Sequence, residues 1–109
     1  MTMIENLHGM LERGVDSALL RYSLGNELLK SGDVDNAIAH LRQALHFDAD
    51  YSAAWKMLGK ALASCGNHAE AVDVLEQGIE VAERSGDIQA AKEMMVFRKR
   101  SQQALGLAG

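Results

Sequence analysis

The stretch that decides the fold is Ser52-Ala53-Ala54-Trp55-Lys56-Met57-Leu58-Gly59-Lys60-Ala61-Leu62, followed by the turn Cys65-Gly66-Asn67 and then by Ala71 and Leu75. Trp55, Leu58 and Leu62 are spaced i, i+3 and i+7, which places them on one face of a helix. Gly59 has no side chain, so a second helix can approach its backbone closely. The Gly-Asn pair ends the helix, and a second amphipathic run begins at Ala71. This stretch therefore predicts two antiparallel helices joined by a short turn.

The same marks recur 34 residues earlier in the chain. Identical residues at this spacing are Leu24, Gly25, Leu28, Gly32, Ala37, Leu41 and Gln43, which match Leu58, Gly59, Leu62, Gly66, Ala71, Leu75 and Gln77. Conservative pairs are Ile38 with Val72 and Leu45 with Ile79. A helix-turn-helix unit with a period of 34 residues is the signature of tetratricopeptide repeats. The chain therefore resembles the tetratricopeptide-repeat (TPR) family.

The resemblance implies an all-α fold, a right-handed TPR helix-turn-helix solenoid (an α-α superhelix) of about six helices. We expect one domain over residues 1–109, with an N-terminal half-repeat helix in 1–14 and full repeats in 17–50 and 51–85. Leu7 and Leu11 fit the second half of the repeat frame, which supports the half repeat. Residues 86–104 are predicted to form a capping helix, because Lys92 falls where a third repeat needs an apolar residue.

Helix ends follow from the glycines and from short polar residues, since the chain contains no proline. The predicted helices run over about 2–13, 17–31, 34–47, from Asp50 to Ser64 or Cys65, over 68–84, and from 87 to about 103. We expect Asp16, Asp33 and Asp50 to act as N-caps, and Asn67 to form a capping-box-like pair with Glu70. The predicted core consists of Leu24, Leu28, Leu41, Leu45, Trp55, Leu58, Leu62, Leu75 and Ile79.

Composition narrows the classes of partner and compartment. The net charge of −4 argues against nucleic acid as the main partner, because phosphate binding needs a basic surface. The single cysteine, Cys65, cannot form an internal disulfide, which favours a reducing, cytoplasmic compartment. No apolar run approaches the length of a membrane helix, and the N-terminus does not resemble a secretory signal.

Catalytic and metal chemistry find little support in the residue pattern. His40 and His46 are spaced so that they cannot chelate from one helix face. Cys65 and His68 supply only half of a zinc site, so we interpret them as a small buried thiol and a surface imidazole. No phosphate-binding loop or hydrolase motif occurs. We expect no enzyme activity, no metal and no cofactor.

The last predicted helix carries an apolar run from Met94 to Phe97, followed by Arg98-Lys99-Arg100. One narrow helix stripe cannot bury all four apolar residues, so part of the run is expected to be exposed or docked. A cap that packs on two sides of the preceding helix pair is one interpretation, and an adaptable contact surface is the other. The three cations fit the end of a helix, where they complement its dipole.

The resemblance implies that the first helices of successive repeats line a concave groove, which holds an extended peptide or a partner helix. The family pattern places the groove positions at Leu19, Tyr22, Asn26, Leu29 and Lys30 in one repeat, and at Ala53, Lys56, Lys60, Ala63 and Ser64 in the next. The family's two-carboxylate clamp for chaperone C-termini is not expected, because only Asn26 matches it. Tyr22 replaces the clamp lysine and Lys60 replaces the second asparagine.

Lys56 and Lys60 lie one helical turn apart and leave an acidic or C-terminal peptide open as the ligand. The alternative is that these lysines pair with glutamates of neighbouring helices. We predict a non-catalytic adaptor that binds an unidentified protein or peptide, without nucleic acid or membrane. The alternative function is a structural or self-associating module whose groove is filled by its own cap or by another copy. A monomer is expected, with weak self-association as the alternative.

Overall fold

The structure is a computed structural model that describes residues 2–106. Within these residues it contains six helices and no strand, which confirms the all-α prediction. The helices are α1 (Met3–Glu12), α2 (Ala18–Lys30), α3 (Val34–Phe47), α4 (Ser52–Ser64), α5 (His68–Ser85) and α6 (Ile88–Ala104). The chain divides into two compact units, the first ending at Ala49 and the second beginning at Asp50. The repeat boundaries and the single-domain assignment stay predictions.

In the first unit, α2 and α3 pack against each other through the bare backbone of Gly25. A Cβ atom at Gly25 would lie 2.6 Å from Cγ of Leu41, so only glycine permits this approach. Leu24 and Leu41 are fully buried beside this contact. Helix α1 packs on α2 but contains no buried residue, so it covers the unit only partly.

In the second unit, α5 lies between α4 and α6 and contacts both. The α4–α5 contact repeats the close approach of the first unit, with Gly59 against the buried Leu75. Gly78 of α5 provides a second close approach, since a Cβ there would lie 2.5 Å from Sδ of Met94 and 2.6 Å from Cβ of Trp55. The core cluster of this unit is Leu75, Ile79, Ala82, Ala90, Ala91 and Met94, with Trp55 and Phe97 packed partly against it.

Four helices end in the same glycine turn. Their φ angles are 83° at Gly14, 87° at Gly32, 82° at Gly66 and 82° at Gly86, a left-handed conformation that other residues adopt at a cost. The amide that follows each glycine donates back into the preceding helix, as Asp87 N does to Ala82 O at 2.8 Å. The recurring Gly of the sequence pattern is therefore a C-cap requirement.

Two predicted N-caps are wrong. Ser17, and not Asp16, caps α2, because Ser17 Oγ accepts from the Leu20 amide at 3.0 Å. Asp16 instead forms a salt bridge with Arg21 at 2.9 Å. Asp50 does not cap α4, because the N-cap position of this helix is Tyr51. The Asp50 carboxylate instead accepts a hydrogen bond from Arg84 at 2.9 Å.

The other two caps are right in position but not in their hydrogen bonds. Asp33 and Asn67 are the N-cap residues of α3 and α5, yet neither side chain caps a backbone amide. The Asp33 carboxylate accepts from the side-chain amide of Asn36 at 2.8 Å. The Asn67 side chain donates to Glu70 Oε1 at 3.1 Å, so the predicted partners meet through their side chains.

The predicted core is right for seven of its nine members, which the structure buries: Leu24, Leu28, Leu41, Leu58, Leu62, Leu75 and Ile79. Leu45 and Trp55 are only half-buried. The indole of Trp55 lies at the side of the core cluster, and so large a ring is rarely enclosed completely.

Candidate functional site

The predicted groove residues of α2 lie on one side of that helix, away from its buried leucines. Leu19, Tyr22, Asn26 and Leu29 fall within about 100° of the helix circumference, at 100° per residue. Leu19 is 65% exposed, and the other three are half-buried. The first unit therefore presents a mixed apolar and polar face.

Lys30 closes this face at the end of α2. Its ammonium lies 3.6 Å from Glu27 on the preceding turn. Both side chains lie at the surface, so water competes with this pair and its contribution to stability is small.

The two lysines of α4 differ in their surroundings. Lys56 donates to Glu93 of α6 at 3.0 Å, so the alternative of pairing with a neighbouring glutamate holds for this residue. The hydrogen bond from Lys56, together with one from Gln89, lowers the pKa of the Glu93 carboxyl. Lys60 is exposed and forms no ion pair with any residue in the described range 2–106.

Helices α4 and α6 run side by side in the same direction. At their starts, Ser52 Oγ donates to Asp87 Oδ2 at 2.8 Å, and this bond lowers the pKa of the Asp87 carboxyl. Near their ends, Nδ1 of His68, at the start of α5, lies 3.1 Å from Oγ of the buried Ser101. Polar contacts thus hold the start of α6 against α4, through Asp87 and Glu93, and its end against the start of α5, through Ser101.

Between these contacts lies a pocket of about 270 Å³, which we call the α4–α6 pocket. Its walls include Lys60, Ala63 and Ser64 of α4, and Phe97, Arg100 and Ser101 of α6, with His68 at the base of α5. Of the groove positions predicted on α4, Lys60, Ala63 and Ser64 therefore line this pocket, whereas Ala53 and Lys56 do not line it. The walls from α5 and α6 were not predicted as site residues. The apolar run ending at Phe97 was the available signal.

The apolar run from Met94 to Phe97 is partly buried and partly exposed, as expected. Met94 is fully buried, whereas Met95 is 38% and Val96 is 49% exposed. Phe97 is half-buried between the core cluster and the α4–α6 pocket. Part of this run is thus available for contact with another molecule.

A polar cluster occupies the first unit near α1. The His8 and His40 rings meet edge to face with centroids 5.7 Å apart, and Arg21 Nη1 lies 3.1 Å from His40 Nδ1. Burial lowers the pKa of His40, and the positive charge of Arg21 lowers it further. The hydrogen bond from Arg21 lowers the pKa of the Asp16 carboxyl.

The described part of the chain contains no group of three or more His, Cys, Asp or Glu side chains placed to hold a metal. Cys65 is exposed, so the interpretation of a buried thiol is wrong; it ends α4 in the turn, with its Sγ 3.3 Å from Leu62 O. His68 is engaged with Ser101. Across residues 2–106, no helix is both long enough and apolar enough to cross a bilayer.

Comparisons with known proteins agree with the helix-turn-helix fold. The family model for the tetratricopeptide repeat matches residues 28–95. A TPR repeat-containing protein of Pseudomonas aeruginosa is 47% identical over 102 residues, which cover 94% of this chain and 97% of that protein.

Solved structures show the same fold. The solution structure of a Bordetella parapertussis protein has a TM-score of 0.84 at 41% identity, covering 95% of this chain and 90% of that chain. The TPR2B domain of yeast Sti1, solved as a complex with pHsp70, has a TM-score of 0.86 over 93% of this chain and 81% of that chain, and its 18% identity supports the fold alone. From the repeat pattern, the paired helices and these matches, the chain is a member of the tetratricopeptide-repeat family.

Proposed function

We propose that this chain is a non-catalytic adaptor that binds an extended peptide or partner segment on the exposed faces of α2 and α4. TPR domains are in general protein–protein interaction modules without catalytic activity, and this supports the general part of the proposal. The specific part concerns Leu19, Tyr22, Asn26, Leu29 and Lys30 on α2, and Lys56 and Lys60 on α4. A cytoplasmic location belongs to the proposal, because Cys65 has no second cysteine in the sequence.

The observation that carries the proposal is the exposure of Leu19. It is an aliphatic side chain on an ordered helix, and 65% of it faces solvent while its neighbour Leu20 is buried. Tyr22 lies one turn away, with a flat ring and a polar tip that suit a peptide contact. Such a pair offers a partner apolar area at little cost in protein ordering.

The test is capture of partners from native extract, followed by reconstitution with the purified partner in isothermal titration calorimetry. Leu19→Asp should abolish capture and weaken the measured affinity at least about tenfold, because it places a charge in an apolar contact. Ile88→Asp is the matched control, since Ile88 is 52% exposed on α6 and lies outside the proposed face. Circular dichroism must show both variants folded.

Equal binding by wild type and Leu19→Asp would contradict the proposal. Light scattering with size-exclusion chromatography addresses the structural or self-associating alternative. A mass that rises with concentration, and that Leu19→Asp returns to the monomer, would assign this face to a second copy and reject the adaptor.

A further inference from the structure

The α4–α6 pocket combines an apolar wall with two cations, and no acidic side chain lines it within the described range. The apolar wall consists of Ala63 and the ring of Phe97, which is held in place by its contact with the core cluster. Its volume of about 270 Å³ falls just below the about 300–1,000 Å³ of small-molecule sites. The pocket is therefore of a size for one or two side chains of a partner.

Neither cation has a partner carboxylate among residues 2–106. Lys60 and Arg100 are exposed, and neither forms a salt bridge with a residue of the described range. Arg100 is positioned by Phe97, since its guanidinium lies 5.9 Å from the ring centroid. By contrast, Lys56, one turn before Lys60, is neutralised by Glu93. The pocket of this acidic protein therefore carries two positive charges, those of Lys60 and Arg100, that are not neutralised by a carboxylate of the described residues.

We propose that the α4–α6 pocket anchors one apolar side chain of the partner, and that acidic residues stand on either side of this side chain in the partner sequence. This inference rests on the proposed function. The apolar side chain packs against Phe97 and Ala63, and its burial supplies most of the binding free energy. The neighbouring carboxylates contact Lys60 and Arg100 at the rim, where they set orientation and specificity. The ligand is acidic next to its apolar side chain because Lys60 and Arg100 are both positively charged.

The probe is a blocked pentapeptide with a central leucine between two acidic residues on each side, added to the isotope-labelled full chain. Amide shifts in NMR spectra should concentrate at Lys60, Phe97 and Arg100, with saturation at peptide concentrations on the order of millimolar or below. Replacement of the leucine by serine, or of the acids by lysine, should remove the shifts. Raised salt should weaken binding, because exposed charges are screened.

Charge reversal on the protein provides the second arm. Arg100→Glu and Lys60→Glu should each weaken peptide binding about fivefold, the range expected for an exposed ion pair that becomes repulsive. Lys99→Glu is the matched control, because it makes the same charge change on the adjacent residue, which does not line the pocket. It should bind like wild type.

Absence of localised shifts, or equal weakening by Lys99→Glu and Arg100→Glu, would overturn the proposal. Shifts at the same residues that appear on raising protein concentration without peptide would assign the pocket to a second copy, and would overturn it as well. Failure here is separable from failure of the adaptor function. A native partner that is lost with Leu19→Asp but retained with Arg100→Glu leaves the adaptor intact and rejects this anchor site.

Discussion

Because α4 and α5 approach closely at Gly59, we predict that Gly59→Ala destabilises the fold, although helix propensity alone predicts that it stabilises. On an exposed helix, Gly→Ala stabilises by about 0.5–1 kcal/mol. In this structure, a Cβ at Gly59 would lie 2.5 Å from Cγ of Leu75, which is the branch point of a fully buried side chain and not its flexible end. Since overpacking costs about 1–3 kcal/mol, Gly59→Ala should destabilise by about 1–2 kcal/mol after the propensity gain.

The assay is thermal and urea unfolding of the full chain. At about 4–8 °C per kcal/mol for a domain of this size, Gly59→Ala should lower the Tm by roughly 4–16 °C. Gly9→Ala in α1 is the control, because its Cβ would meet only the flexible end of Arg13, at 3.3 Å. That variant should raise the Tm.

A double-mutant cycle isolates the contact. Leu75→Ala alone should cost about 2–5 kcal/mol, since it leaves a cavity. In that background Gly59→Ala should become neutral or stabilising, because the atoms nearest the new Cβ are all in the removed part of Leu75. A Tm increase for Gly59→Ala as large as that for Gly9→Ala would refute the reasoning.

Four further predictions concern stability. Trp55→Ala should lower the free energy of unfolding, measured in urea, by about 2–3 kcal/mol. Loss of a fully buried ring costs about 3–5 kcal/mol, and the smaller value is expected because Trp55 is half-buried. Truncation after Ser85 should produce an aggregating or molten species by ANS binding and circular dichroism, because it uncovers the apolar surface buried against α6. Deletion of 1–14 should act in the same direction but more weakly, because α1 buries no residue. Stability should fall as the pH drops below 6.5, the ordinary pKa of His40, because its lowered pKa leaves the folded state with fewer bound protons than the unfolded chain.

Each of these has a clear contrary outcome. A loss for Trp55→Ala above that of Leu75→Ala would place the indole deeper in the core than the structure does. A sharply melting monomer after either truncation would show that the removed helix is not a required cap. For the pH prediction, His40→Gln should flatten the dependence and His46→Gln should not. An unchanged slope in His40→Gln would reject the assignment to His40, which faces His8, Arg21 and Asp16.

The helix-turn-helix repeats were determined by the sequence alone, because their signals are local. Leucines spaced three and four apart define each buried stripe, and the left-handed C-cap at Gly66 depends only on its own turn. The pairing of Gly59 with Leu75 could also be predicted, since a short turn fixes the offset of two antiparallel helices. The bounds of α3, Val34–Phe47, agree with the sequence prediction because helix ends also depend on local signals.

What only the tertiary structure decided is which polar groups meet across the helices. Asp50 pairs with Arg84 and Lys56 with Glu93, over separations of 34 and 37 residues, so no local rule assigns them. The α4–α6 pocket likewise combines side chains from three helices. Its shape depends on how far α4, α5 and α6 are displaced along one another, which the local periodicity does not specify. Periodicity specifies the face of each helix, whereas the partner of each exposed charge depends on how far one helix is displaced along the next.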